Sequence, residues 1–145
     1  MAENHFAILC VDDEPAVLKP MEIMLQRRGF HVVSAKDGPS AVELFRQIKF
    51  HAVILDYGLP GMSGGETARL LRAENPAVPI ILHTGYKDLQ DPLLEHVTCT
   101  LPKGSLAFLV TKLNDVLRIA EAAAAEQPEE SVDGPESESA SANVA

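Results

Sequence analysis

The chain has few cysteines, no long apolar run and no excess of basic residues, and each shortage argues against a class of protein. Cys10 and Cys99 have no CxxC spacing or paired histidine, so we expect buried structural thiols rather than a metal site. No apolar run approaches the roughly 20 residues that a membrane span requires, so no membrane association is expected. No basic stripe suits a phosphate backbone, which disfavours direct nucleic-acid binding.

The acidic charge lies mostly near the C-terminus. The net charge is −9, but residues 1–120 hold 14 acids and 12 bases, while seven acids and no Lys or Arg follow Ala120. Residues 127–145 are mainly Glu, Ser, Pro, Gly and Ala, a composition that buries too little to offset ordering entropy. We therefore predict one domain over residues 1–126 and an acidic disordered tail over 127–145. The first residues lack a basic segment before an apolar one, so we expect a cytoplasmic protein.

Short apolar runs alternate with segments of helical spacing, which predicts a parallel α/β sheet covered on both faces. The predicted strands are Phe6–Val11, His31–Ser34, Ala52–Leu55, Pro79–Leu82 and Val97–Leu101. The predicted helices are Pro15–Arg28, Pro39–Ile48, Gly65–Glu74 and a last one from about Ser105, a candidate N-cap, that continues into Ala122–Ala125. The remaining crossover, Lys87–His96, is short and contains Pro92, so a short or irregular fourth helix is expected there.

Polar residues follow the predicted strands at the edge where an open parallel sheet binds ligands. Strand one runs into Asp12, Asp13 and Glu14, strand three into Asp56 and strand four into Thr84, while Lys103 follows strand five. Each of these residues alone is common in turns and caps. Their joint placement predicts a site.

The chemistry of this set favours phosphoryl transfer to a carboxylate. Carboxylates held close together repel unless a cation sits among them, and Mg²⁺ or Mn²⁺ suits such oxygen ligands. Asp56 can then act as a nucleophile toward phosphorus, while the metal and Lys103 neutralise the phosphoryl oxygens. A hydrogen bond from the Thr84 hydroxyl to the phosphoryl group would pull the loop after strand four inward.

These residues resemble the response-regulator receiver family of two-component signalling. The matching segments are VDDEPAVL at 11–18, LDYGLPGMSGGE at 55–66, LHTGY at 82–86 and PKG at 102–104. The resemblance implies a flavodoxin-like, doubly wound sheet with strand order 2-1-3-4-5.

The resemblance also implies roles for individual residues. Asp56 is the expected phosphoacceptor, with Thr84 and Lys103 contacting the phosphoryl group. Asp13, Asp56 and the Gly58 carbonyl are expected to bind the metal, with Asp12 acting largely through water. The expected partners are a sensor histidine kinase or phosphotransfer protein and a downstream protein effector, with the chain a monomer or weak dimer.

Two departures from the family pattern concern signal output. Thr100 stands where the family has an aromatic residue three positions before the lysine, so the usual coupling of threonine to that aromatic is not expected. Tyr86 and Phe108 are nearby aromatics, for which a core or surface role is favoured. Gly104 replaces the proline that normally follows the lysine, and Pro102 precedes Lys103 instead.

The leading hypothesis is a free-standing switch that catalyses only its own phosphorylation and dephosphorylation. One alternative is a phosphatase with an aspartyl-phosphate intermediate, but such an enzyme needs a DxD spacing after strand one, where this chain has adjacent Asp12 and Asp13. Another alternative is a receiver-like interaction module that is never phosphorylated. The five histidines are scattered without ligand spacing, and we expect surface or packing roles for them.

Overall fold

The protein, described here by a computed structural model for residues 5–126, forms a five-stranded parallel sheet in the order β2-β1-β3-β4-β5. The strands are β1 (Ala7–Val11), β2 (His31–Ala35), β3 (Ala52–Leu55), β4 (Ile80–Thr84) and β5 (Cys99–Pro102). The α-helices are α1 (Pro15–Arg27), α2 (Gly38–Gln47), α3 (Gly64–Glu74) and α4 (Leu106–Glu126), with a 3₁₀ helix at Pro92–His96. The predicted doubly wound sheet and its strand order are confirmed.

The alternation of strand side chains divides the core into two layers. Ile8 and Cys10 of β1 face the layer formed with α1 and α4, whereas Leu9 and Val11 face the layer formed with α2 and α3. All four are buried, as are the residues of β3 and β4. Burial on both faces explains why these strands are continuous apolar runs in the sequence.

The strand ends differ from the predicted ones by one or two residues. β1 begins at Ala7 rather than Phe6, and β2 extends to Ala35. The larger differences are at the far edge of the sheet, where β4 runs from Ile80 to Thr84 and β5 from Cys99 to Pro102. The predicted starts of β4 and β5, Pro79 and Val97, were too early. Both residues are apolar, but they lie in the loops that lead into the two strands.

The prediction of a short or irregular fourth helix is confirmed, since within Lys87–His96 only Pro92–His96 is helical and it is a 3₁₀ helix. The Asp91 side chain caps it by accepting a hydrogen bond from the Leu93 N–H at 2.9 Å. Arg72 of α3 fastens this segment, donating from Nη2 to the His96 carbonyl at 2.7 Å and from Nη1 to the Val78 carbonyl. One face of β5 stays open as a result, and Thr100 and Pro102 are exposed there.

Helix α3 begins where it does because of a capping box. The Ser63 hydroxyl accepts from the Glu66 N–H at 3.1 Å, and the Glu66 carboxylate accepts from the Ser63 N–H at 2.9 Å. The next residue, Gly64, donates its N–H to the Tyr57 carbonyl at 2.7 Å. A Cβ at Gly64 would lie 2.7 Å from the Tyr57 Cα and still closer to the Asp56 carbonyl oxygen, so this contact requires glycine. The helix therefore packs directly against the backbone that carries Asp56.

Helix α4 begins directly after Ser105, the residue predicted to be its N-cap. The Ser105 hydroxyl accepts from the Phe108 N–H at 3.2 Å, and the helix continues through Ala122–Ala125 as expected. Across residues 5–126, no helix combines the length and apolarity that crossing a bilayer demands. The predicted acidic tail, 127–145, lies outside the described residues.

Candidate functional site

Three carboxylates meet at the carboxyl end of the sheet, as predicted. One carboxylate oxygen from each of Asp12, Asp13 and Asp56 lies within 4.8 Å of the other two. Asp12 and Asp56 are buried, with relative exposures of 1% and 6%, whereas Asp13 is exposed. The sheet produces this arrangement because β1 and β3 are paired neighbours that end at the same level, Val11 being opposite Leu55.

Lys103 lies among these carboxylates. Its Nζ is 2.9 Å from Asp12 Oδ2, 3.2 Å from Asp56 Oδ2 and 3.8 Å from Glu14 Oε1. At these distances the ammonium forms ion pairs with both buried carboxylates, Asp12 and Asp56. The Lys103 N–H also donates to the Thr84 carbonyl at 3.0 Å, which ties the lysine to the end of β4.

Burial and neighbouring charges shift the pKa values of Asp56 and Lys103. Burial, reinforced by the negative charge of Asp12, raises the pKa of Asp56, although the nearby Lys103 ammonium and the Tyr57 N–H oppose this shift. Burial alone would lower the pKa of Lys103, but its contacts with Asp12 and Asp56 outweigh that effect and raise it. The protein alone therefore places an ammonium beside a carboxylate whose ionised form is disfavoured, which is an unusual environment for an acid.

A shallow cavity of about 400 Å³ opens above the cluster and gives access to Asp56. Its lining includes four of the predicted site residues: Asp13, Asp56, Gly58 and Lys103. Glu14, Gly85 and Tyr86 complete the lining. Asp56 is thus reachable from solvent even though its side chain is nearly buried.

Thr84 is at the predicted strand end but does not line this cavity. Its side chain is buried, and its Oγ1 accepts a hydrogen bond from the Tyr86 N–H at 3.2 Å. The hydroxyl proton of Thr84 is still available for another acceptor, since this bond uses only an oxygen lone pair. Thr84 therefore connects the site to the loop that carries Tyr86.

Tyr86 covers Gly58, a contact that sequence reasoning did not identify. A Cβ built on Gly58 would lie 2.7 Å from Tyr86 Cε2, so the ring lies directly over the glycine. The ring also packs edge-on against Tyr57, with centroids 5.9 Å apart, and is itself 60% exposed. The only sequence signal for this contact was the position of Tyr86 two residues after Thr84.

Tyr57 connects Asp56 to the 3₁₀ helix. Its N–H donates to Asp56 Oδ1 at 2.8 Å, and its hydroxyl donates to Asp91 Oδ2, also at 2.8 Å. The bond to Asp91 raises the pKa of the Tyr57 phenol. Because Asp91 also caps the Pro92–His96 helix, the residue after Asp56 directly contacts the start of that segment.

His83 was expected at the surface or in packing, and the structure places it in the core. It is 3% exposed on β4, and neither ring nitrogen has a hydrogen-bond partner in the described part of the chain. Burial, aided by the positive charge of Lys103, lowers the pKa of His83. We therefore treat it as a neutral packing residue, and a surface role is excluded.

The carboxylate cluster suits a hard divalent cation. Two of its three acids are buried, and within residues 5–126 a single ammonium, that of Lys103, lies close to both. All the donors are oxygens, the ligand type that Mg²⁺ and Mn²⁺ favour. Repulsion among the carboxylates would be relieved by such an ion. The residues present therefore fit a Mg²⁺ site.

Comparisons with known proteins agree with this geometry. The chain is 37% identical over 84 residues to the probable transcriptional regulatory protein TcrX of Mycobacterium tuberculosis, a match that covers 58% of this chain and 36% of TcrX. It spans little more than a third of the length of the curated relatives that it matches.

Two solved structures contain the same Thermotoga maritima response regulator, TrrA. TrrA in complex with Mg²⁺-BeF superposes with a TM-score of 0.73 at 30% identity, covering 77% of this chain and 98% of TrrA. The complex of the histidine kinase ThkA with TrrA gives a TM-score of 0.71 at 31% identity, with the same coverage. Residues 8–96 match the family model of the response regulator receiver domain, and the chain belongs to that family.

Proposed function

We propose that this chain is a phosphorylation-dependent signalling switch that accepts a phosphoryl group on Asp56. The observation that carries the proposal is the position of Asp56, which lies within 4.8 Å of two further carboxylates and 3.2 Å from Lys103 at the base of an open cavity. The TrrA complex with Mg²⁺-BeF supports the same chemistry, because TrrA has this fold at 30% identity.

In the proposed reaction, a carboxylate oxygen of Asp56 forms a bond to phosphorus. The bond from phosphorus to the donor breaks, and its electron pair leaves with the donor atom. Lys103 stabilises negative charge on the transferring oxygens, since its ammonium already faces Asp56. The protein catalyses no other reaction in this proposal, so it is not an enzyme acting on separate substrates.

Asp13, Asp56 and the Gly58 carbonyl would hold Mg²⁺ or Mn²⁺, with Asp12 acting mainly through water. When bound, the cation supplies positive charge that neutralises the phosphoryl oxygens and the crowded carboxylates. Gly58 lines the cavity beside Asp13 and Asp56, which supports its inclusion.

Two contacts offer routes by which phosphorylation would change the protein surface. If the Thr84 hydroxyl donates to the phosphoryl group, it moves toward Asp56 and disturbs the bond that it accepts from the Tyr86 N–H. Any shift of the Asp56 backbone would also move the adjacent Tyr57, whose hydroxyl donates to Asp91 at the start of the 3₁₀ helix. The surface around Tyr86 and residues 91–96 would therefore change on phosphorylation. This route would replace the family's usual coupling through an aromatic residue, since position 100 is a threonine here.

The proposed phosphodonor is a sensor histidine kinase or a phosphotransfer protein, as the complex of ThkA with TrrA suggests. The proposed output is contact with a downstream protein. Direct binding to nucleic acid is not part of the proposal, because the folded region lacks the basic excess that phosphate backbones require. A cytoplasmic monomer or weak dimer fits these roles.

Intact mass spectrometry after incubation with acetyl phosphate and Mg²⁺ tests the proposal. One added phosphoryl group is expected on the wild type and none on Asp56→Asn or on a magnesium-free sample. Asp88→Asn is a matched control, since Asp88 is exposed with φ of 55°, a conformation that asparagine adopts readily. A wild type that stays unmodified would overturn the proposal in favour of an unphosphorylated interaction module.

A further inference from the structure

His83 is a buried residue whose ring nitrogens contribute nothing to the packing of the core. It is 3% exposed, and neither nitrogen has a hydrogen-bond partner within residues 5–126. Burying polar atoms without hydrogen bonds costs free energy, which an apolar side chain at this position of a central strand would avoid. This cost is explained if a ring nitrogen of His83 binds a partner in another state of the protein.

The register of the sheet places His83 beside Asp56. The paired strands β1, β3 and β4 reach the same level, so Asp12, Asp56 and His83 form a row across the sheet. Leu101 continues the row on β5 and belongs to the core layer of α1 and α4. His83 points into the same layer, because it follows Ile81 of that layer by two residues and side chains alternate along a strand. Neighbouring strands are about 4.8 Å apart, which makes His83 a direct lateral neighbour of Asp56.

The Lys103 side chain crosses the strand that carries His83. Lys103 follows β5, yet its Nζ lies 2.9 Å from Asp12 Oδ2, at the end of β1. Strands β4 and β3 lie between β5 and β1 in the sheet. The long stem of the lysine therefore reaches over β4, and its charge is near enough to lower the pKa of His83. A shorter reach would bring the ammonium back toward His83.

The Lys103 ammonium has an N–H group available for a further acceptor. An ammonium carries three N–H groups. Oxygens of Asp12 and Asp56 lie 2.9 and 3.2 Å from Nζ, whereas Glu14 Oε1, at 3.8 Å, is beyond hydrogen-bond range. His83 can supply the acceptor, because burial and the charge of Lys103 lower its pKa and a neutral imidazole has one unprotonated nitrogen.

Lys103 would withdraw from Asp12 when a divalent cation occupies the carboxylate cluster. Its ammonium is then repelled by a second positive charge, which also replaces it as the counter-charge to Asp12 and Asp56. The stem can retreat only toward β5, since the Lys103 N–H is bonded to the Thr84 carbonyl at 3.0 Å. That path leads back over β4 and past His83.

We propose that His83 is a positioning residue that accepts a hydrogen bond from the withdrawn Lys103 ammonium. The ring nitrogen holds the lysine at the end of β4, where its charge faces a phosphoryl group on Asp56 instead of Asp12. This inference rests on the function and the metal site proposed above. It deepens them by naming what holds Lys103 once its ion pair with Asp12 is lost.

Nitrogen NMR of the His83 ring tests the inference with Mg²⁺ alone. In protein labelled with ¹⁵N-histidine, the unprotonated nitrogen of His83 should give a far-downfield signal in EDTA. Saturation with Mg²⁺ should move this signal upfield while the ring stays neutral, because the nitrogen then accepts a hydrogen bond. An unmoved signal, or the signals of an imidazolium, would overturn the proposal. His83→Gln assigns the signal by its loss.

Lys103→Met shows whether the ammonium causes the shift. This variant keeps the carboxylates that bind the cation but has no donor for His83, so Mg²⁺ should leave the His83 signal in place. An upfield shift that persists in Lys103→Met would mean that the ring responds to the cation itself, and the proposal would be wrong.

Substitutions at His83 separate positioning from packing. His83→Leu fills the core without an acceptor, so calorimetry should show Mg²⁺ binding about tenfold weaker, which corresponds to one hydrogen bond to a charged group. His83→Gln offers an amide oxygen and should restore most of that affinity. His31→Leu is the matched control, since His31 is an exposed histidine on β2, and its Mg²⁺ affinity should equal that of wild type. Urea unfolding in EDTA checks that each variant folds.

The outcomes distinguish this inference from the proposed function. Equal Mg²⁺ affinity in wild type and folded His83→Leu would mean that the ring only packs, and would overturn the role of His83. A wild type that binds Mg²⁺ and is labelled by acetyl phosphate, but shows no shift at His83, overturns that role alone. A wild type that binds no Mg²⁺ overturns both the metal site and this inference.

Discussion

Replacing Asp56 by asparagine should stabilise the metal-free protein at neutral pH. The Asp56 carboxylate is nearly buried and lies beside Asp12, and both features raise its pKa in the folded state. Asparagine has the same shape but no charge, so it avoids the desolvation and the repulsion. The residue proposed to be phosphorylated would thus be one that lowers the free energy of unfolding.

The magnitude follows from the distances in the site. At an effective dielectric constant of about 20, the attraction of Asp56 to Lys103 at 3.2 Å is worth about 5 kcal/mol. The repulsion from Asp12, within 4.8 Å, is at least about 3.5 kcal/mol. These terms largely cancel, and the desolvation of a buried carboxylate, several kcal/mol, decides the sign. Because the cavity admits solvent, we expect a net gain of about 1–2 kcal/mol.

The pH dependence of the free energy of unfolding tests whether Asp56→Asn stabilises the protein for the reason given. The folded pKa of Asp56 is raised, so its contribution to wild-type stability is present below the unfolded value of about 3.9 and is lost as pH rises through the folded value. The advantage of Asp56→Asn should therefore be absent in acid and should grow as the solution becomes neutral.

Urea unfolding in EDTA across this pH range measures the effect, with Asp88→Asn as the control. Mg²⁺ at about 100 times its dissociation constant should add about 2.7 kcal/mol to the wild type and reverse the order of the two proteins. An Asp56→Asn variant no more stable than wild type at neutral pH in EDTA would refute the reasoning. A gain that persists in acid would do the same.

Three further substitutions test neighbouring contacts. Lys103→Met leaves Asp56 without its nearby cation, so the free energy of unfolding in EDTA should fall by about 3 kcal/mol and recover in part with Mg²⁺; unchanged urea midpoints would contradict the ion pair. Tyr57→Phe removes the hydrogen bond to Asp91 and should destabilise by about 1 kcal/mol, with faster amide hydrogen exchange at residues 93–96 than in wild type. Ser63→Ala removes the α3 cap and should also lower stability by about 1 kcal/mol in thermal unfolding, without changing acetyl phosphate labelling of Asp56.

The central sheet could be predicted because its strands are buried on both faces. β1, β3 and β4 are nearly uninterrupted apolar runs, and the predicted bounds of β3 are those observed. The carboxylate cluster follows from the same logic, because parallel strands that end together bring Asp12 and Asp56 to one edge. The apolar runs and the rule that parallel strands end at a common edge were therefore enough to predict most of the site.

The parts that escaped prediction depend on contacts between distant residues. Tyr57 and Asp91 are 34 positions apart, and nothing near either residue indicates that they bind each other. His83 is polar, yet its place on a central strand buries it, so the strand position overrides the residue type. Strand starts at the far edge were misplaced because apolar residues such as Val97 pack on the core from a loop.

Arg72 gives the far edge of the sheet an unusual dependence on a single residue. In place of a long fourth helix, a planar guanidinium joins the His96 and Val78 carbonyls, which belong to the segments leading into β5 and β4. Lysine could not reproduce this, since one compact ammonium lacks the forked donors of arginine. Sequence changes in the 3₁₀ segment itself should be well tolerated, whereas a change at position 72 would loosen the starts of two neighbouring strands at once, one of them more than 20 residues further along the chain.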